Sequence, residues 1–122
     1  MDNPLKTDLD HILTHTRGLW DEGNLSHLIH MATDDSHRLT VKAPMLMVGT
    51  ILHGVWHTLD FARYCGVRKF PMGSSGAAYG KQPADLTHIP EEYSGIIDVT
   101  HPAVAFVEGK QVAELLCLNY SK

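Results

Sequence analysis

Apolar side chains recur at helical spacing in three stretches of this chain, which predicts three helices. The first covers residues 7–20, and the second runs over 44–65, after which Gly66 supplies a stop signal. The third covers 102–119 and, like the second, begins at a proline, a residue that suits the first turn of a helix. A large share of the chain is therefore expected to be helical.

Two shorter apolar runs, 25–32 and 67–72, predict strands. Pro71 is a defect in the second run, because a proline has no N–H to donate to a sheet ladder. The polar stretch 33–42 and the connection 81–101 predict loops. Since two strands joined by a long helix run parallel, we expect an α/β fold with a small parallel sheet flanked by helices.

The composition indicates one globular domain that covers the whole chain, residues 1–122. Hydrophobic residues make up 43% and charged residues 20%, which excludes a disordered chain. A net charge of −4 without a cluster of lysines and arginines argues against nucleic-acid binding. No apolar run approaches the roughly 18 residues of a membrane span. There is no signal-peptide core and no disulfide framework, so we expect a cytoplasmic protein.

Three segments hold the side chains with the clearest chemical signal. The first strand and the residues after it read Leu-Ile-His-Met-Ala-Thr over 28–33. The loop after the second strand reads Met-Gly-Ser-Ser-Gly-Ala-Ala-Tyr-Gly over 72–80. The third helix begins with Pro-Ala-Val-Ala-Phe-Val-Glu-Gly-Lys over 102–110, and Glu114 follows the lysine by one turn. The order of the segments is more informative than any one of them.

In this order the segments resemble the catalytic stretch of the extended short-chain dehydrogenase/reductases, the NAD-dependent sugar-nucleotide epimerases and dehydratases. The resemblance extends from about Leu25 to Tyr120. In that family a serine or threonine works with a Tyr-x-x-x-Lys motif on the next helix. By spacing, Ser75 takes the serine position, Phe106 the tyrosine position and Lys110 the lysine position.

The resemblance implies a partial Rossmann-like fold, NAD(P) as cofactor and a nucleotide-sugar substrate. It implies Ser75 and Lys110 as catalytic residues, the serine aligning the substrate oxygen and the lysine holding the nicotinamide ribose. It also implies that four residues border the cofactor, namely Ala32, Thr33, Ser74 and Lys110.

Several positions depart from the family pattern. The tyrosine that carries the substrate proton is replaced by Phe106, and a phenyl ring has no proton to exchange. Val104 stands at the motif's serine, and Ile51 stands at the asparagine of the long helix. The Gly-x-x-Gly-x-x-Gly turn that binds the pyrophosphate is absent from the sequence.

We therefore interpret the chain as an internally deleted and C-terminally truncated relative without the first βαβ units, a degenerate protein with no independent catalysis. One alternative is a residual NAD(P)-dependent epimerase or dehydratase completed by a partner chain. Another is a non-catalytic oligomerising or regulatory module. Missing strands would expose a sheet edge, and the helices over 44–65 and 102–119 match the family's dimer helices. A homo-oligomer through these helices, or a complex with a full-length homologue, is expected.

Simpler interpretations of the same residues stand beside these. Ser74 and Ser75 also suit an ordinary tight turn. Phe106 suits the helix core, and Lys110 suits a solvated helix position unless a cofactor is bound.

Nine histidines raise the question of a metal site. His11 and His15 are four residues apart, as are His53 and His57, a spacing that puts two imidazoles on one helix face. No Cys-x-x-Cys or His-Glu-x-x-His motif accompanies them. We therefore expect no metal.

Overall fold

The structure, a computed structural model, describes residues 25–32, 37–101 and 103–122, and helices dominate this part of the chain. They are α1 (His37–Lys42), α2 (Pro44–Tyr64) and α3 (Val104–Tyr120), with a 3₁₀ turn at Gly76–Tyr79. The second and third predicted helices are confirmed as α2 and α3. The predicted helix over 7–20 lies outside the described residues. None of the described helices is long and apolar enough to cross a membrane.

Helix α1 was not expected from the sequence. The prediction of a loop over 33–42 is wrong for its second half, which is helical, and only Ala43 separates α1 from α2. Thr40 of α1 is 4% exposed, and the helix lies against α2 and α3. A helix of 6 residues is too short to be stable by itself, so tertiary burial holds it.

Helix α2 ends in a Schellman motif. Gly66 has a φ of +67°, in the left-handed region where a residue with a Cβ is strained. The Gly66 N–H donates to the Arg63 carbonyl at 3.2 Å, and the Val67 N–H donates to the Ala62 carbonyl at 2.9 Å. The predicted stop at Gly66 is confirmed, and the turn directs the chain into the second predicted strand.

The two predicted strands pair in parallel, but only at two isolated bridges, His27 with Lys69 and His30 with Met72. No continuous strand forms within the residues that the structure describes. Pro71 lies between the bridges, and the N–H that it lacks is the one that would continue the ladder. The backbone hydrogen bonds on either side are present: Leu28 N to Lys69 O (3.0 Å), His30 N to Pro71 O (2.9 Å) and Gly73 N to His30 O (2.9 Å).

The core lies where α2 and α3 pack together. Its buried cluster comprises Met47, Ile51, Val55, Leu59 and Ala113. The buried positions of α3 include the small residues Ala105, Gly109 and Ala113. An ideal Cβ built on Gly109 would lie 3.0 Å from Ile51 Cδ1 on α2. The missing side chain at Gly109 therefore sets how closely the two helices approach.

The bridged segments contribute one face to this core. Phe70 and Met72 pack against the buried cluster. Ile29 and Met31, which precede and follow His30, are exposed. In the described ranges, the expected sheet flanked by helices is thus present only as two parallel bridges with α2 and α3 on one face.

Candidate functional site

The two serines of the 72–80 loop are both engaged by neighbouring groups. Ser75 is the N-cap of the 3₁₀ turn, and its Oγ accepts a hydrogen bond from the Ala77 N–H at 3.2 Å. The Ser74 hydroxyl donates to the Glu114 carboxylate on α3. The tight-turn interpretation of Ser75 is confirmed, because its side chain satisfies the backbone of its own turn.

The 3₁₀ turn is fixed to the long connection that follows it by a close backbone contact. Gly80 has a φ of +77°, and an ideal Cβ on it would lie 2.6 Å from the Gly95 carbonyl oxygen. The Gly95 N–H donates to the Tyr79 carbonyl at 2.8 Å. The Tyr79 hydroxyl donates to Glu91 at 3.0 Å, which raises the pKa of the tyrosine. Only glycines allow this approach, so the pair determines where the turn lies relative to the connection.

Lys110 is buried, contrary to the expectation of a solvated helix lysine. It is 5% exposed, and its Nζ donates a 2.7 Å hydrogen bond to the Gly73 carbonyl oxygen. The ammonium lies 5.8 Å from the centroid of the Phe106 ring, a cation–π contact. Burial lowers the pKa of Lys110, and the nearby Glu114 carboxylate opposes that shift. The Gly73 carbonyl oxygen thus gives the buried ammonium a polar partner inside the protein, which offsets part of the cost of removing the charge from water.

Phe106 occupies the tyrosine position and is part of the core. Its ring is half-buried against the cluster between α2 and α3, one turn before Lys110. The interpretation of Phe106 as a core residue is confirmed. The ring offers the ammonium a π-face instead of the hydroxyl that the family motif would provide.

His30 is the residue of this region that sequence reasoning did not assign. Its ring stacks on Phe70 with centroids 6.2 Å apart, and it lies beside Gly54 of α2. Burial lowers the pKa of His30, and the charge of Lys110 lowers it further. The only signal for it in the sequence was a histidine in the apolar segment Leu-Ile-His-Met-Ala over 28–32. The structure thus brings His30, Phe106 and Lys110 into one region below the Ser74–Ser75 loop.

Of the four predicted cofactor residues, three lie in the described part of the chain. Ala32 is exposed. Thr33 lies outside the described residues. Ser74 and Lys110 donate to groups of the protein itself. At the family positions the described residues present no tyrosine hydroxyl, and the Lys110 ammonium is already hydrogen-bonded to the Gly73 carbonyl oxygen.

A cleft of about 690 Å³ opens between the 3₁₀ turn and the start of α3. Its lining is mostly apolar, with Lys81, Asp98 and His101 as the polar members. Hydrogen bonds from Thr100 lower the pKa of Asp98. His101 Nδ1 accepts from the Ala103 N–H at 3.2 Å, which leaves Nε2 as the nitrogen that carries a proton in the neutral ring. The cleft can hold a small amphipathic molecule, but Lys110 is not among the residues that line it.

Among the described residues, no group of three or more histidine, cysteine, aspartate or glutamate side chains is arranged to hold a metal ion. His11 and His15 lie outside the described residues.

The family model described as the NAD dependent epimerase/dehydratase family matches residues 6–122. The match includes the 3₁₀ turn with Ser75 and the helix with Lys110. A search of curated proteins finds no match to this chain. The resemblance seen in the sequence is confirmed, and the chain belongs to the NAD-dependent epimerase/dehydratase family.

Proposed function

We propose that this chain is a non-catalytic member of its family, in which residues at the catalytic positions stabilise the fold. The observation that carries the proposal is the state of Lys110, which is buried and hydrogen-bonded to the Gly73 carbonyl oxygen. A lysine that holds a nicotinamide ribose must present its ammonium to the cofactor. Here that ammonium is bound within the protein.

The lack of a group that can carry the substrate proton also supports a non-catalytic protein. Hydride transfer to or from a sugar hydroxyl carbon requires a group that accepts or donates the hydroxyl proton, and losing such a group lowers the rate by about 10²–10⁴-fold. Phe106 cannot act in this way. The tyrosine of the 72–80 loop, Tyr79, is hydrogen-bonded to Glu91, which raises its pKa and disfavours the phenolate that a base would need.

Calorimetric titration of NAD⁺ into the purified chain tests the proposal directly. Circular dichroism and a cooperative thermal transition first establish that the sample is folded. We expect no binding heat at high micromolar protein concentration. A dissociation constant below about 1 mM, which corresponds to roughly 4 kcal/mol of binding free energy, would show that the cofactor is retained and the proposal is wrong.

A pair of variants at position 106 separates loss of the proton carrier from loss of the whole site. Phe106→Tyr restores the hydroxyl, and Phe106→Leu is the matched core substitution that does not. We expect neither variant to turn over a nucleotide sugar with NAD⁺. Turnover by Phe106→Tyr without a partner would contradict the proposal, and turnover only in a mixture with a catalytically inactive full-length homologue would favour the residual enzyme completed by a partner chain.

We propose association with other chains as the role of such a protein. Several apolar side chains project from the two long helices. Trp56 on α2 is half exposed, and Leu115 and Leu118 on α3 are 55% and 64% exposed. Exposed apolar side chains on neighbouring helices are typical of interaction surfaces. They support either a homo-oligomer through α2 and α3 or a complex with a full-length homologue.

Light scattering coupled to size-exclusion chromatography tests this association. Leu115→Glu with Leu118→Glu should convert an oligomer into a smaller species, because each change puts a charge into the interface. Val99→Glu is the matched control, since Val99 is 72% exposed and lies outside both helices. A wild-type chain that is monomeric and unfolds cooperatively would contradict the homo-oligomer and leave the complex with a full-length homologue as the only form of association.

A further inference from the structure

The outer side of α2 carries two histidines that neither the core nor the candidate site uses. His53 and His57 are four residues apart on this helix, and their rings lie face to face with centroids 6.0 Å apart and planes 20° from parallel. No metal was expected from the sequence, but from this geometry we propose that these two imidazoles chelate a divalent transition-metal ion of the Ni²⁺, Cu²⁺ or Zn²⁺ class.

The chemistry of the pair selects that class of ion. Neutral imidazole nitrogen is a good ligand for Ni²⁺, Cu²⁺ and Zn²⁺, whereas Mg²⁺ and Ca²⁺ prefer oxygen ligands. A spacing of four residues places both rings on one helix face, one turn apart. His53 is exposed and His57 is half-buried, so a hydrated ion in solvent can reach them. Within the described residues, neither ring makes a hydrogen bond that would occupy its nitrogens.

Two neighbouring positions of α2 limit which protein groups can join the pair. Gly49 lies one turn before His53, where even an ideal Cβ would be 3.8 Å from His53 Nδ1, so no side chain at this position covers that nitrogen. Asp60 lies one turn beyond the pair, but its Oδ1 accepts a 2.5 Å hydrogen bond from the Tyr120 hydroxyl. The protein therefore supplies two ligands, and water or a second copy of the pair completes the coordination shell.

The helix also preorganises the pair. The opposite side of α2 is anchored in the core by Val55, which is two residues from both histidines, and by Leu59, which is two residues beyond His57. The backbone positions of the two imidazoles are thus set before an ion arrives. Only side-chain rotation is required to converge their nitrogens, which limits the entropy lost on binding.

Calorimetric titration of Ni²⁺ into the full chain, prepared without a polyhistidine tag, tests this site. His53→Gln/His57→Gln removes the proposed ligands while keeping helix-forming side chains. Two matched variants each remove two other histidines. His27→Gln/His88→Gln removes exposed ones, and His11→Gln/His15→Gln removes the other pair with a spacing of four. Circular dichroism verifies that each variant folds.

We expect His53→Gln/His57→Gln to weaken Ni²⁺ binding by about tenfold or more, because the two imidazoles proposed to chelate the ion are lost. Both matched variants should bind as the wild type does. Added Ni²⁺ should raise the melting temperature of the wild type but not of His53→Gln/His57→Gln, since an ion bound to folded α2 stabilises the folded state. Unchanged affinity in His53→Gln/His57→Gln, or loss of affinity in His11→Gln/His15→Gln instead, would overturn the proposal.

Discussion

The ammonium of Lys110 and the carbonyl oxygen of Gly73 are joined by a 2.7 Å hydrogen bond in the interior of this protein. The Gly73 N–H in turn donates to the His30 carbonyl at 2.9 Å. A line of hydrogen bonds thus runs from α3 through the serine-containing loop to the first bridged segment. The bridged segments 25–32 and 67–72 pair with each other at only two isolated bridges. These hydrogen bonds are therefore a principal link between the bridged segments and the helices.

Replacement of Lys110 by alanine should destabilise the fold. The substitution removes a charge-assisted hydrogen bond and leaves a cavity where the buried side-chain stem lay, so we expect the free energy of unfolding to fall by about 2 kcal/mol. Urea denaturation followed by circular dichroism measures the change. Lys69→Ala, at an exposed lysine, is the control and should change stability by less than about 0.5 kcal/mol. An equally small effect of Lys110→Ala would mean that the hydrogen bond to Gly73 stabilises nothing.

The close contact of Gly109 with Ile51 predicts a coupling between the two positions. Gly109→Ala places a Cβ at 3.0 Å from Ile51 Cδ1, so overpacking should outweigh the gain in helix propensity and destabilise the fold by about 1 kcal/mol. Ile51→Val removes Cδ1 and by itself should cost about 1 kcal/mol. The double variant should be more stable than the sum of the single effects predicts, by at least about 0.5 kcal/mol. Strict additivity in the four denaturation curves would contradict this packing.

Pro71→Val should extend the parallel pairing. Valine supplies the N–H that the proline lacks, opposite the Leu28 carbonyl, and the two bridges can then merge into one ladder. Hydrogen exchange measured by NMR should show a protected amide at position 71. Pro90→Val, in the exposed connection, should show a rapidly exchanging one. Rapid exchange at position 71 would indicate that something other than the missing N–H keeps the bridges apart.

His30 should make the fold sensitive to acid. Burial, and then the charge of Lys110, lower its pKa in the folded state below the ordinary value of 6.5. Between the folded and the ordinary pKa the unfolded chain therefore binds more protons than the folded chain. The contribution of His30 to stability is complete above pH 6.5 and is lost as the pH falls through this window.

Thermal melting at a series of pH values from about 7 down to 5 measures this effect. His30→Gln should melt with a weaker pH dependence than the wild type, because it removes a group whose protonation favours unfolding. His88→Gln, at an exposed histidine, is the matched control and should retain the wild-type dependence. Equal pH dependence in all three proteins would assign the acid sensitivity to other groups.

The local features of this protein could be predicted from its amino-acid residues. Apolar periodicity and a proline in the first turn predicted α2, and Gly66 predicted its end, because helix caps depend on the conformational freedom of single residues. Pro71 likewise predicted a break in the pairing, since a missing N–H is a property of the residue itself. The segments around Ser75 and Lys110 were sufficient for the family, because their order and spacing are visible without coordinates.

The contacts of the candidate site, by contrast, depend on long-range packing and could not be predicted in this way. The burial of Lys110 depends on Gly73, which is 37 residues away, and no local pattern indicates such a contact. The same holds for α1, a short polar helix held by burial of Thr40, and for the place of His30 beside Lys110. Spacing predicts which chemical groups a site could contain. Whether those groups face a ligand or one another is set by long-range packing, which brings together residues that the sequence keeps apart.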